Sequence, residues 1–222
     1  MKGFEVHYSG SDGWDEADGD SGVIVSQNTD EVKVQGIHSK YNTVAFRLDR
    51  ADDAEMLYNT MHCDGSALKV GLFVHSSKNL FVEGGDYTCA EDIGIYLLYG
   101  GNHILKNLYV QNNEVGIKVD QSTGNYFNDS YFYDNEEVGI LFYGGDNNTI
   151  YNTNFNYEKY AISFTREAEN NTILDVYFSD TQSYDIHHGF QSDSTRNGWN
   201  NVVILSLIHI SEPTRLGMIS YA

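Results

Sequence analysis

Residues 115–137, VGIKVDQSTGNYFNDSYFYDNEE, and residues 138–160, VGILFYGGDNNTIYNTNFNYEKY, repeat one phrase. In register they share an opening Val-Gly-Ile, an Asn at Asn125 and Asn148, an apolar residue two places later (Phe127, Ile150), and an aromatic seven places after the Asn (Phe132, Phe155). Working outward, the Asn recurs at Asn79, Asn102 and Asn171, each 23 residues from its neighbour, with Phe81, Ile104 and Ile173 two places on. Tyr109 and Phe178 extend the aromatic position. Ahead of each Asn lies an apolar pair spaced i, i+2: Leu72/Val74, Ile95/Leu97, Ile117/Val119, Ile140/Phe142 and Ile162/Phe164. That spacing is the strand period, which puts both members on one face. Gly, Asn and Asp gather between the pairs, as in Tyr99-Gly-Gly-Asn102 and Tyr143-Gly-Gly-Asp-Asn147, and supply turns.

A fixed period of this size marks a solenoid. Three short strands per coil of about 23 residues predict an all-β chain coiled as a parallel β-helix, its coils stacked at ~4.8 Å. Equivalent residues then pile into an aliphatic ladder, an aromatic ladder and an Asn ladder, the last a structural feature whose amides bond along the axis. A lone coil cannot bury its inward face, so neighbours supply the stability and both ends need caps. Val23/Val25, Val32/Val34, Ala45 and Met56 extend the pattern towards the N-terminus, for eight or nine coils and a rod of roughly 40 Å. A leucine-rich repeat has a similar period, but its middle Leu anchor is Asn107, Ser130 and Thr153 here, and Val115–Val119 alternates as a strand. The expected organisation is an N-terminal strand with an acidic loop or cap at 1–21, a β-helix at 22–204, and a tail at 205–222. The tail stands apart because Leu205–Arg215 (LSLIHISEPTR) matches, codon for codon, the translation of a transposase-type sequencing adaptor. Ile219–Ala222 matches the same adaptor after its index. The tail is expected to add no coil, and the natural chain to continue past Ile204.

The phrases Gly94-Ile-Tyr-Leu97, Gly139-Ile-Leu-Phe142 and Asn148-Thr-Ile150 resemble the short repeat of the right-handed parallel β-helix (pectin-lyase-like) superfamily. In particular they are similar to the periplasmic copper-binding (NosD-type) family, over about residues 22–204. The resemblance implies a right-handed solenoid and an extracellular, cell-surface or periplasmic location. It leaves function open, since this fold carries lyases, hydrolases, epimerases, tailspikes and plain scaffolds. Copper enters only with the family's name: His38, His62, His75 and His103 fall in different ladders, and no Met cluster accompanies them.

Lys+Arg total 13 against 32 Asp+Glu, a net charge of −19 over 222 residues. Such a surface repels phosphate backbones, which argues against a nucleic-acid partner. No apolar run nears the ~20 residues of a membrane helix, and the N-terminus shows no signal-peptide core. Cys63 and Cys89 stand 26 apart, one coil plus a small insertion, so adjacent coils bring them within disulfide reach and suggest an oxidising compartment.

Several groups of residues carry candidate chemistry. Asn28-Thr-Asp30 with Asp52-Asp53 is similar to the carboxylate pair of polygalacturonase-type hydrolases, a general acid and base across a glycosidic bond. That family's Gly-His-Gly and Arg-Ile-Lys are missing, and Asp30 and Asp53 also fit the turn position that Asn takes later. Arg47-Leu-Asp-Arg-Ala-Asp-Asp53, with Arg50 at its centre, combines the acidic and basic residues a uronate lyase needs to hold Ca²⁺ and abstract a proton. Tyr184-Asp-Ile-His-His188 resembles the Asp-Pro-His of alginate epimerases; with Ile186 inward, Asp185 and His187 would share the outer face. Asp12, Asp15, Glu16, Asp18 and Asp20 are oxygen ligands suited to Ca²⁺, without EF-hand spacing; no other metal or cofactor is expected. Tyr96 and Tyr143 on one face, and Tyr131, Tyr133 and Tyr177 on another, offer flat rings to the apolar faces of sugars. The composite expectation is a non-catalytic module of an exported or surface protein that binds or presents carbohydrate. The alternative is a polysaccharide-processing enzyme: a uronate lyase, an epimerase or a glycoside hydrolase.

Overall fold

The computed structural model describes residues 5–7, 21–26, 32–40, 42–62, 68–166, 168–188 and 201–204. Asp12, Asp15, Glu16, Asp18, Asp20, Asp30, Cys63 and the tail 205–222 lie outside them. All described secondary structure is strand, and every pairing is parallel. Eight strands, from Ser21–Ser26 to Tyr184–His188, stack as one long sheet, so the chain makes about seven turns of a right-handed solenoid. The remaining fourteen form the other two walls, which merge into one sheet where Glu55–His62 and Phe81–Thr88 run through the corner between them.

Alternation fixes which residues enter the core. In the long sheet Phe46, Leu72, Ile95, Ile117, Ile140, Ile162 and Ile186 align in one buried row. Met56, Val82, Leu105, Phe127, Ile150 and Ile173 line the second wall. The third wall adds Tyr87, Val110, Phe132, Phe155 and Phe178. Ring centroids are 4.6 Å apart between Phe132 and Phe155 and 5.7 Å between Phe155 and Phe178. The Gly of the Val-Gly-Ile phrase has a steric cause: a Cβ on Gly116 would stand 2.5 Å from the carbonyl oxygen of Gly139 on the next coil.

The regular 23-residue spacing of the Asn residues hides a slip. The coil step is 22 from Ile95 to Ile117, from Leu105 to Phe127 and from Val110 to Phe132. Asn102 and Tyr109 therefore fall one residue outside the ladders they were expected to join, and Tyr109 is 55% exposed. Phe81 and Ile104 likewise turn outward, with Val82 and Leu105 taking the core. Asn79 and Asn102 occupy an exposed corner with Asp53, Gly124, Asn147 and Asn170, all in the left-handed region. Short polar side chains and Gly tolerate that conformation, and a Cβ on Gly124 would meet Asn102 Oδ1 at 2.7 Å.

One residue further on runs the amide ladder itself. Asn125, Asn148 and Asn171 each donate Nδ2 and backbone N–H to Oδ1 of the next, ending on Asn201, at 2.8–3.1 Å. His103 holds the first place; its Nδ1 accepts from Leu80 N–H, and burial pushes its pKa down to about 4, keeping it neutral. A second ladder, which the spacing argument missed, climbs another corner: Asn113 donates to Asn135, and Asn135 donates through Nδ2 and N–H to the Glu158 carboxyl. Glu158 is 0% exposed. Burial raises its pKa to about 8, against the lowering effect of the Asn135 bonds. Cys89 is disulfide-bonded, and no described cysteine is free.

Candidate functional site

The outer face of the long sheet gathers side chains that the core does not need. Its strands Val44–Asp49, Val70–Lys78, Ile93–Gly101, Val115–Thr123, Val138–Tyr143 and Tyr160–Thr165 point alternate residues away from the interior. One row reads Arg47, Phe73, Tyr96, Lys118, Leu141, Ser163 and His187, and the next Asp49, His75, Leu98, Asp120, Tyr143 and Thr165. Just past the second row Arg50, Tyr99 and Arg166 take left-handed turns.

Phe73, Tyr96 and Leu98 form an apolar floor with Val44, Val70 and Ile93. Tyr96 is 4% exposed, so it is not the open stacking ring expected; it supports the groups above it. Lys118 Nζ stands 4.6 Å from the Tyr96 ring centroid and 5.4 Å from that of Tyr143, and 3.7 Å from Asp120 Oδ2. Arg166 lies 3.9 Å over the other member of the pair, Tyr143. The rings hold both cations in place; Lys118 is also paired with Asp120. The Tyr96 hydroxyl donates to Asp120 at 3.2 Å.

Towards the N-terminal end, His75 Nδ1 meets Asp49 Oδ1 at 2.8 Å, and Arg50 Nε donates to the same oxygen at 3.4 Å. Burial alone would raise the Asp49 pKa, but hydrogen bonds from His75 and Arg50 and their charges outweigh it and hold the carboxyl below its ordinary value. An ionised Asp49 can only accept, so Nδ1 of His75 carries the proton of that bond. Phe73 stacks against the His75 ring and Tyr99 lies 6.0 Å from it.

The other sequence candidates disperse. Asp52 and Asp53 accept from Lys78 N–H and Asn79 Nδ2 in a turn. Asp185 falls opposite Ala161, in the small-residue row that holds Gly116; it is 4% exposed and accepts from Thr181 Oγ1, so it does not join His187 on the outer face. His187 stacks on Tyr160 at 4.5 Å and contacts Ser163 Oγ at 3.1 Å, and burial lowers its pKa. Six strand spacings, roughly 29 Å, separate it from Asp49. Tyr131, Tyr133 and Tyr177 line the third wall. Sequence reasoning missed Lys118 and Arg166 and did not join Asp49, part of the Arg47–Asp53 candidate, to His75; outward parity beside the aliphatic rows was the signal that could have found them.

Comparisons with known proteins place this geometry. Among solved structures, the A-module of mannuronan C-5 epimerase AlgE6 from Azotobacter vinelandii superposes with a TM-score of 0.66 at 14% identity, over 83% of this chain and 53% of that one. The periplasmic alginate epimerase AlgG gives 0.60 at 15% identity, over 74% and 40%, and its T265N mutant 0.54 at 12%, over 78% and 50%. The chain thus spans about half the length of these structures, and the likeness is one of fold. No curated protein matches. The sequence profile of the periplasmic copper-binding protein (NosD) family matches residues 9–160, more than half of the chain, and the chain belongs to that family.

Proposed function

We propose that this chain is a carbohydrate-binding β-helix module that holds an acidic polysaccharide, a polyuronate, along the outer face of its long sheet. The observation that carries the reading is the placing of cations. Arg47, Arg50 and Arg166, every arginine among the described residues, share that face with Lys118, although the chain carries −19 overall. The distant carboxylates are screened, because the Debye length is about 8 Å at physiological salt. Uronate carboxylates pair with Arg in bidentate fashion, and the sugar's apolar face fits a ring such as Tyr143 or Tyr99. Structural neighbours that act on mannuronan and alginate support the choice of polymer. A periplasmic or extracellular location is supported by the family's description and by the disulfide at Cys89.

Copper finds no site among the described residues. No three His, Cys, Asp or Glu converge, Met56 and Met61 are core residues, and Cys89 has no thiolate to offer. No described helix is long and apolar enough to cross a membrane. The test of the reading is affinity electrophoresis in polymannuronate. Lys118→Ala/Arg166→Ala should weaken retardation at least tenfold, and unaltered retardation overturns the reading.

One observation favours a second, catalytic reading. The Asp49–His75 pair beside Arg50 combines a base with a cation that could neutralise a uronate carboxylate, the two things needed to remove the proton next to it. Incubation with polymannuronate, followed by absorbance of unsaturated ends and by proton NMR of C5 configuration, separates the readings. Turnover lost in His75→Ala with binding retained establishes the enzyme; binding without turnover establishes the module.

A further inference from the structure

A second surface carries the opposite charge. It is the outer face of the third wall, where Tyr109–Gln111, Tyr131–Tyr133, Asn154–Asn156 and Tyr177–Ser179 pair in parallel. Because Val110, Phe132 and Phe155 are buried, the residues on either side of each point out. Four rings form a continuous strip there. Tyr109 and Tyr131 are 6.1 Å apart, Tyr131 and Tyr133 stack at 6.2 Å, and Tyr133 meets Tyr157 edge-on at 5.5 Å. Tyr157 is 45% exposed. A depression of about 470 Å³ opens beside Tyr109 and Tyr131, lined also by Asn107, Asp129, Ser130 and Asn154.

Charge complementarity selects the occupant. Asp129 and Asp175 border the strip on one side, Asp134 and Asp180 on the other, all at left-handed corners. Among the described residues none of the four is in a salt bridge, and neither these strands nor the corners leading into them contain Lys or Arg. Tyrosine faces are themselves electronegative, so rings set among carboxylates attract a cation and repel a polyuronate. The inner strands of the wall are hydrogen-bonded to the coils above and below, so an extended peptide finds no ladder edge to join. Flat rings with side-chain oxygens at each level suit a sugar polymer that carries hydroxyls and ammonium groups. We propose that this wall binds an amine-bearing glycan of the glucosamine-polymer class. A polyanion and a polycation would then occupy different faces of one coil stack.

Calorimetry on the whole chain at about pH 5.5, where Asp is ionised and amines are protonated, tests this with four probes: glucosamine hexamer, its N-acetylated form, hexalysine and polymannuronate. The glucosamine hexamer should bind at least tenfold more tightly than the other two oligomers. Tyr131→Ala/Tyr133→Ala should cost at least tenfold in that binding, and Tyr131→Phe/Tyr133→Phe should restore it. Asp134→Asn/Asp180→Asn, which the left-handed backbone accepts, should cost at least fivefold. Polymannuronate binding should not change in any of these variants. Equal binding of the N-acetylated hexamer shows that charge plays no part, and equal binding of hexalysine shows that the sugar plays none. An effect of glucosamine hexamer that survives the alanine pair shows attraction to net charge alone. Each of these three results overturns the proposal, and unchanged thermal unfolding of the variants excludes a folding defect.

Discussion

At the scale of single residues, two Asn side chains 46 positions apart illustrate how one slip changes a role. The Asn148 side chain accepts two hydrogen bonds from Asn125 and donates one, through Nδ2, to Asn171 inside a buried corner. Asn148→Ala strands the two Asn125 donors, at ~1–3 kcal/mol each, so a loss of about 2–6 kcal/mol in urea unfolding is expected. Asn102 sits exposed at φ 57°, and Asn102→Gly should stay within about 0.5 kcal/mol, since Gly takes that conformation without strain. Glu158 ties stability to pH. Its folded pKa, about 8, lies above its ordinary 4.5, so the folded state keeps a proton that the unfolded chain has released. The stability it contributes is full below about pH 4.5 and is lost as pH rises through about 8. Glu158→Gln should flatten that slope and raise stability at pH 9 by a few kcal/mol, up to about 5. Urea midpoints of both proteins between pH 5 and 9 check the sign; an unchanged slope places the charge elsewhere.

At the scale of strands, the long-sheet core was legible before any coordinates. Ile95, Ile117, Ile140 and Ile162 each open an i, i+2 apolar pair and all lie inward. Ile117→Asp would bury an unpaired charge between Ile95 and Ile140 and should cost at least about 4 kcal/mol, seen as a lowered melting temperature. The second and third walls were read one residue out in the early coils. A uniform count of 23 cannot register a 22-residue step, and Tyr109 next to Val110 offered two apolar choices where only packing decides. The Glu158 ladder was illegible for another reason: it changes from Asn113 and Asn135 to Glu158, and its steps are 22 and then 23 residues. Function was harder still. Motif resemblance pointed to Asp52, Asp53 and Asp185, which the turns and the corner row absorb, whereas the basic-aromatic face assembles from residues of separate coils.

At the scale of the whole molecule, the arginines among the described residues gather on one face, the outer side of the long sheet. Polymannuronate binding should therefore fall steeply with salt. Raising salt from about 0.05 to 0.5 M should weaken it by more than tenfold, as read by calorimetry, while thermal stability changes little. Reductant should lower the unfolding free energy by about 2–4 kcal/mol through the disulfide at Cys89, checked by unfolding with and without dithiothreitol. The left-handed corners have a broader consequence. Coil steps of 22, 23, 24 and 26 residues occur between successive rows of the long sheet, yet the inward residues remain aligned. Extra residues are taken up at the corners and do not propagate. A lineage can thus duplicate, delete or lengthen a coil by recombination without rewriting its neighbours, and it can edit the two outer faces separately while the interior stays as it was. The number of coils, and with it the length of each outer face, is a heritable quantity, adjustable one coil at a time.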